Sequence, residues 1–241
     1  MANIDAFERK ALSKILNDQD CLTIPPFAKR GRKCLMRYTI FDIPILRNLL
    51  QVVSIAVLRI FGWRRSGQLP NIPKFVVVVA PHTSNWDFPI GLAIVFAFKM
   101  KMNWLGKDSL FRWPFGGFFK WLGGMPISRS KSGDVVAQTI QAFKEKTKMV
   151  IVVAPEGTRK KVKYWKTGFY RIAQGANVPI LMGFIDYVRK VGGFGPTLMP
   201  TGDIESDMQK IRAFYDTVTG KIPDKSTPAM IAPQSGRGSH R

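Results

Sequence analysis

The sequence predicts an α/β fold, a largely parallel or mixed sheet flanked by helices, and three observations carry that reading. Residues 76–80 (VVVVA) and 149–154 (MVIVVA) are short apolar runs without alternation, the pattern of strands buried on both faces. Stretches with apolar residues at helical spacing separate and follow them. Both runs stop abruptly in polar, turn-forming residues, as strands do where ligands gather beyond the carboxyl edge of a parallel sheet.

Taken in order, residues 42–63 (DIPILRNLLQVVSIAVLRIFGW) are apolar but interrupted by Arg47, Gln51 and Arg59. A charge at a bilayer centre costs about 2.5 to 3.5 kcal/mol, which disfavours a simple span. Two roles fit: an interfacial helix whose arginines snorkel to the headgroups, or a helix covering the core. After the first strand, residues 89–102 have helical length, with Pro89 suited to a first helical position. Ser132 and Asp134 suit the cap of a helix carrying Val135, Val136, Ile140 and Phe143 on one side. The second strand follows. Residues 165–174 read as another helix, 179–185 as a strand, and 203–218 as a capped amphipathic helix with Ile204, Met208, Ile211, Phe214 and Val218. The Pro-, Ser- and Gly-rich residues from 223 read as disordered. The expected organisation is a basic, amphipathic, membrane-associating segment (1–65), one central domain (66–222) and a disordered tail (223–241).

A chain of 241 residues that is 46% hydrophobic can bury one sizeable core. Its 37 Lys and Arg against 16 Asp and Glu leave a net charge of +21, which calls for an anionic partner. The basic residues are scattered beside aromatics from Arg9 to Arg241 instead of forming one stripe or arm. That distribution favours a bilayer surface over nucleic acid. Two cysteines, Cys21 and Cys34, are too few for a disulfide framework or a Cys-rich metal site and suit a reducing, cytoplasmic setting. Acidic and basic residues mix at the N-terminus without an apolar core and cleavage site, so no secretion signal is read.

The first strand runs into Pro81-His82-Thr83-Ser84-Asn85-Trp86-Asp87. His82 is one of two histidines, and the other, His240, lies in the expected tail, so an imidazole general base has to be His82. Asp87 is placed to orient it only if a turn intervenes, because five residues along a helix rotate about 140°. Pro81, Ser84, Asn85 and Pro89 predict such a turn. The second strand ends in Pro155-Glu156-Gly157-Thr158-Arg159-Lys160-Lys161, so neighbouring strands would deliver a His/Asp pair and a Gly-centred charged turn to one edge.

These blocks resemble the glycerolipid acyltransferase family, best known through the lysophosphatidate (1-acylglycerol-3-phosphate) acyltransferases. His82 to Asp87 matches its H-x-x-x-x-D block, with Ser84 at the usual Ser position. Gly124-Met125-Pro126-Ile127-Ser128-Arg129 resembles its second block, Glu156-Gly157-Thr158-Arg159 its E-G-T-R block, and Val178-Pro179-Ile180 its last. Pro81 stands where Asn is common, Ala154 where Phe is common, and Lys160 where Ser is common; these departures bear on the substrate more than on the reaction.

The resemblance implies an acyltransferase domain and transfer of a fatty acyl group from acyl-CoA or acyl carrier protein to a lysophospholipid hydroxyl. The leading acceptor is 1-acylglycerol-3-phosphate, giving phosphatidate. His82 would be the base and Asp87 its orienter, with direct transfer preferred to an acyl-Ser84 intermediate. Arg159, with Arg129 and Lys107, would hold the acceptor's phosphate. Gly157 would allow close backbone approach, and Glu156 would orient Arg159 or bond an acceptor hydroxyl. An oxyanion donor is expected from a backbone N–H of one of these loops. No cofactor or metal is implied, the thioester being a substrate. The expected place is the cytoplasmic face of a membrane, peripheral or monotopic. Residues 109–124 (SLFRWPFGGFFKWLGG) suit a headgroup boundary, an acyl-chain access groove or ordinary core. Competing readings are another lysolipid acceptor, ornithine- or sugar-linked, a hydrolase or transacylase, and a basic module binding membrane or nucleic acid.

Overall fold

The computed structural model describes residues 39–127 and 132–233. Seven strands form one sheet: β1 (Arg64–Ser66), β2 (Lys74–Val79), β3 (Asn103–Lys107), β4 (Gly124–Ile127), β5 (Met149–Val153), β6 (Ile180–Asp186) and β7 (Val191–Leu198). Their spatial order is β1-β7-β6-β2-β5-β3-β4. From β6 through β4 all neighbours are parallel, whereas β7 runs antiparallel to β6 and carries β1 parallel to itself.

Helices cover both faces: α1 (Pro44–Ile60), α2 (Asp87–Ala97), α3 (Gly116–Trp121), α4 (Ser132–Glu145), α5 (Gly168–Ala176) and α6 (Ile204–Tyr215). The period-2 pleat of β2 sorts its side chains between two cores. Phe75 and Val77 pack with Leu58 of α1 and with Ile94 and Phe96 of α2. Val76 and Val78 join Phe143 of α4, Phe169 and Ile172 of α5, and Ile211 of α6. Val76, Val77 and Val78 are all fully buried, which is why the strand reads as a continuous apolar run. Each such burial contributes about 1.5 to 3 kcal/mol.

The N-terminal apolar stretch forms its helix over Pro44–Ile60, shorter than the 42–63 run. Leu46, Leu50, Ile55 and Leu58 face the core, while Ile45, Leu49, Val52, Val53, Val57 and Ile60 are exposed. The helix is thus apolar on two sides and rests one of them on the protein. Gln51 Nε2 donates to the Ala97 carbonyl (3.3 Å) and Arg65 Nη1 to the same oxygen (3.0 Å), tying α1 and β1 to the end of α2.

The second helix departs from expectation at both ends. It starts at Asp87, two residues before Pro89, and stops at Ala97, where Lys99 takes φ 54. Lys99 N–H then donates to the Phe96 carbonyl and Met100 N–H to that of Val95, closing the turn without a Gly or Pro stop signal. Helix α5 spans Gly168–Ala176 rather than 165–174 and ends at Asn177, φ 52, in the left-handed conformation asparagine tolerates. Helix α6 is capped as the sequence indicates, Asp203 Oδ1 accepting from the N–H of Glu205 and of Ser206 at 3.1 Å.

The expectation of disorder from residue 223 is corrected as far as Pro233. Thr227 and Ala229 are buried, and Trp165 Nε1 donates to the Thr227 carbonyl (3.1 Å) while Trp165 N–H donates to that of Met230 (2.7 Å). Composition pointed to disorder, but these residues find backbone partners and an apolar floor. The remainder of the expected tail, 234–241, and most of the expected 1–65 segment lie outside the described residues.

Candidate active site

Parallel pairing of β2 with β5 and β6 brings three chain reversals to one carboxyl edge: residues 80–87, 154–159 and the turn after Asp186. Tyr215 of α6 braces this edge from below. Its hydroxyl donates to the Val78 carbonyl (2.7 Å) and lies 3.1 Å from that of Gly183, joining β2 to β6.

Beyond β2 the chain turns through Pro81 to Trp86 and enters α2 at Asp87, so the spacing of five that no helix could use becomes a contact. His82 Nδ1 lies 3.2 Å from Asp87 Oδ2. The same oxygen accepts the N–H of Thr83 and of Ser84, each at 2.8 Å, and Oδ1 accepts the Tyr187 hydroxyl at 2.8 Å. Burial pushes the Asp87 carboxyl up, but His82, the Ser84 N–H and the Tyr187 hydroxyl outweigh it and hold the group below the usual carboxylate range. A carboxylate at Nδ1 selects the tautomer with its proton there and leaves Nε2 as the basic nitrogen.

Glu156 departs from the role expected of it. It is only 2% exposed, does not line the neighbouring cavity, and makes no hydrogen bond to Arg159. Its Oε2 accepts the backbone N–H of His82 at 2.8 Å, while Oε1 is buried without a hydrogen-bond partner of good geometry. Burial, with the Asp87 carboxylate adding to it, pushes Glu156 up to about 7 against the opposing N–H groups of His82 and Thr227. Glu156 thus holds the backbone of the His82 turn and stands apart from the cavity lining, not against Arg159 as expected.

The segment after α6 buttresses the same turn. Ile222 N–H donates to Thr83 Oγ1 at 3.2 Å, and Val162 N–H donates to Thr227 Oγ1 at 3.0 Å. A Cβ on Gly220 would stand 3.0 Å from side-chain atoms of Pro81 and Thr83, so the Gly220 backbone packs closely against those side chains.

A cavity of about 1260 Å³ opens beside His82 and Asp87. That exceeds the range of about 300 to 1,000 Å³ common for small-molecule sites. Its apolar wall includes Val77, Ile94, Met102, Trp104, Phe119 and Phe194, and its basic members are Lys107, Arg159, Lys166 and Arg171. Gly157 and Thr158 also line it, and Gly157 has φ 65, a conformation that favours glycine. Lys107 and Arg159 thus line the same cavity as His82 and Asp87; Arg129 lies outside the described residues.

Residues 109–124 divide between the roles the sequence left open. Phe119 packs with Phe88 and Trp104 at the cavity wall, with Phe111 behind against Trp104 and Phe119, while Trp113 (93% exposed), Phe115 and Phe118 face outward. The N–H groups of His82, Thr83, Ser84 and Trp86 are committed to Glu156, Asp87 and Ser84 Oγ. An oxyanion donor from this turn would therefore have to come from another group. Tyr187 escaped the sequence reading; its one signal was a place just past the third predicted strand, on the edge already marked by the other two.

At this parallel edge a His/Asp pair thus stands beside a large, mostly apolar cavity that four basic side chains also line. The chain matches, over residues 64–182, the family model described as Acyltransferase. It is an acyltransferase. A solved structure, the 1-acyl-sn-glycerophosphate (LPA) acyltransferase PlsC from Thermotoga maritima, is similar to it with a TM-score of 0.49 and 19% identity, over 70% of this chain and 75% of that one. No curated protein matches the chain.

Proposed function

We propose that the protein transfers a fatty acyl group from a thioester, acyl-CoA or acyl carrier protein, to the hydroxyl of a lysophospholipid, with 1-acylglycerol-3-phosphate as acceptor and phosphatidate as product. The observation that carries the reading is the His82–Asp87 pair, 3.2 Å apart, at the wall of an apolar cavity that also holds Arg159 and Lys107. An alcohol is a weak nucleophile. His82 Nε2 takes the hydroxyl proton as the oxygen attacks the thioester carbonyl, and Asp87 stabilises the imidazolium that forms. The tetrahedral species then collapses: the ester C–O bond stays, the C–S bond breaks, and the leaving thiolate receives the proton from His82.

Direct transfer is supported over an acyl-Ser84 route because Ser84 Oγ accepts the Trp86 N–H at 3.2 Å and makes no hydrogen bond to His82. Arg159 supplies the planar fork that matches a phosphate, Lys107 at the end of β3 adds a second cation, and Gly157 and Thr158 shape the turn that presents the arginine. The apolar wall suits an acyl chain.

The same reading places the protein on the cytoplasmic face of a membrane as a peripheral enzyme. Among the described residues no helix is long and apolar enough to cross a bilayer. Its support is the stripe on α1, where Ile45 is 83% and Ile60 79% exposed, together with outward Trp113. Such residues suit the interface, and basic side chains add about 1 kcal/mol each near anionic lipid. Incubating the purified protein with labelled acyl-CoA and lysophosphatidate should yield labelled diacyl product. Labelled free fatty acid alone would make it a hydrolase, and unchanged substrates with either thioester donor would refute the assignment.

A further inference from the structure

We propose that Tyr187 is a positioning residue of the reaction, its hydroxyl fixing the Asp87 carboxylate and, through it, the His82 ring. The inference rests on the reading of His82 as base. A carboxylate held at one oxygen alone can swing, because the terminal torsion of an aspartate is broad. Here the two oxygens have separate duties. Oδ2 serves His82 and two backbone N–H groups, whereas Oδ1 has the Tyr187 hydroxyl, at 2.8 Å, as its hydrogen-bond partner among the described residues. Removing that hydroxyl leaves one oxygen of a 7%-exposed carboxylate without a donor.

The phenol is itself held in place. Trp63 meets its ring edge-on, centroids 5.1 Å apart at 87°, and Tyr187 N–H donates to the Thr219 carbonyl at 2.9 Å. Burial first, then the Asp87 carboxylate, push the phenol well above its ordinary value, so it stays a donor throughout the working pH range. Tyr187 does not line the cavity, so any effect on turnover passes through Asp87. The titratable groups facing Asp87 are His82, Tyr187 and, from the β5 turn, Glu156.

The test is Tyr187→Phe in the full chain, assayed with acyl-CoA and lysophosphatidate. A lost hydrogen bond to a charged group lowers kcat about 10- to 100-fold, while KM for both substrates stays within about 2-fold. The acid limb of the kcat/KM profile moves to higher pH because the Asp87 carboxylate has lost a stabilising donor. In an Asp87→Ala background the same substitution costs nothing further, as expected of a residue acting through Asp87. An unchanged kcat would overturn the proposal. So would a fall in kcat with an unmoved pH profile, or an equal further loss in the Asp87→Ala enzyme. His82→Ala separates the two layers: an inactive His82→Ala beside an unaffected Tyr187→Phe discards the tyrosine alone, and an active His82→Ala discards both.

Discussion

Replacing Glu156 by glutamine should remove a pH dependence of stability that this one buried carboxyl imposes. Glu156 is 2% exposed and its group is pushed from 4.5 to about 7. In that interval the folded protein holds a proton that the unfolded chain has released, so stability falls as pH rises from 4.5 to about 7. At about 1.4 kcal/mol per pH unit, the full loss is about 3 kcal/mol. Glutamine keeps an oxygen to accept the His82 N–H and carries no charge, so it resembles the protonated acid. Urea unfolding of both proteins from pH 4.5 to pH 8 should give matching stabilities at the acid end. Above pH 7 the variant should be more stable by about 3 kcal/mol. Asp42, Asp186 and Asp207, all held low and none of them a cause of the Glu156 shift, titrate at the acid end in both proteins and cancel in the difference. Parallel curves would refute the account of Glu156 as a buried support with a raised pKa.

Two further outcomes follow from the surfaces. Arg159→Ala should raise the KM for lysophosphatidate more than that for the thioester, with kcat/KM down about 10- to 150-fold and partly recovered by Arg159→Lys. A lysolipid lacking the phosphate should show little further loss, and equal losses on both acceptors would contradict the assignment. Leu49→Asp with Val53→Asp, both on the exposed stripe of α1, should lower binding to anionic liposomes about 100-fold while leaving the thermal midpoint within a few degrees. Undiminished binding, measured by sedimentation with vesicles, would remove α1 from the membrane contact.

The central strands β2, β5 and β6 were legible because burial on both faces leaves continuous apolar runs, and their carboxyl ends carried the His/Asp and E-G-T-R blocks. The peripheral strands left no such mark. β1 is Arg-Arg-Ser and exposed, β3 and β4 are five and four residues long, and β7 (VGGFGPTL) is glycine-rich and interrupted by Pro196. Their pairing comes from tertiary context rather than propensity. The stop of α2 was invisible in FAFKMKM, which contains no breaker. The contact between Tyr187 and Asp87 spans 100 residues of chain, so nothing local in the sequence announces it. The inward turn of Glu156 was equally hidden, since a carboxylate in a charged turn reads as a ligand until its burial is known.

The central claim is that His82 is the base of an acyl transfer, and the rate of labelled diacyl-lipid formation by His82→Ala tests it most directly. The variant should melt within a few degrees of the wild type, because the His82 contact that supports the turn, its N–H to Glu156, is made by the backbone. Its turnover should fall about 10²- to 10⁴-fold, the usual contribution of a general base. A folded His82→Ala protein that forms product at near the wild-type rate would contradict the mechanism.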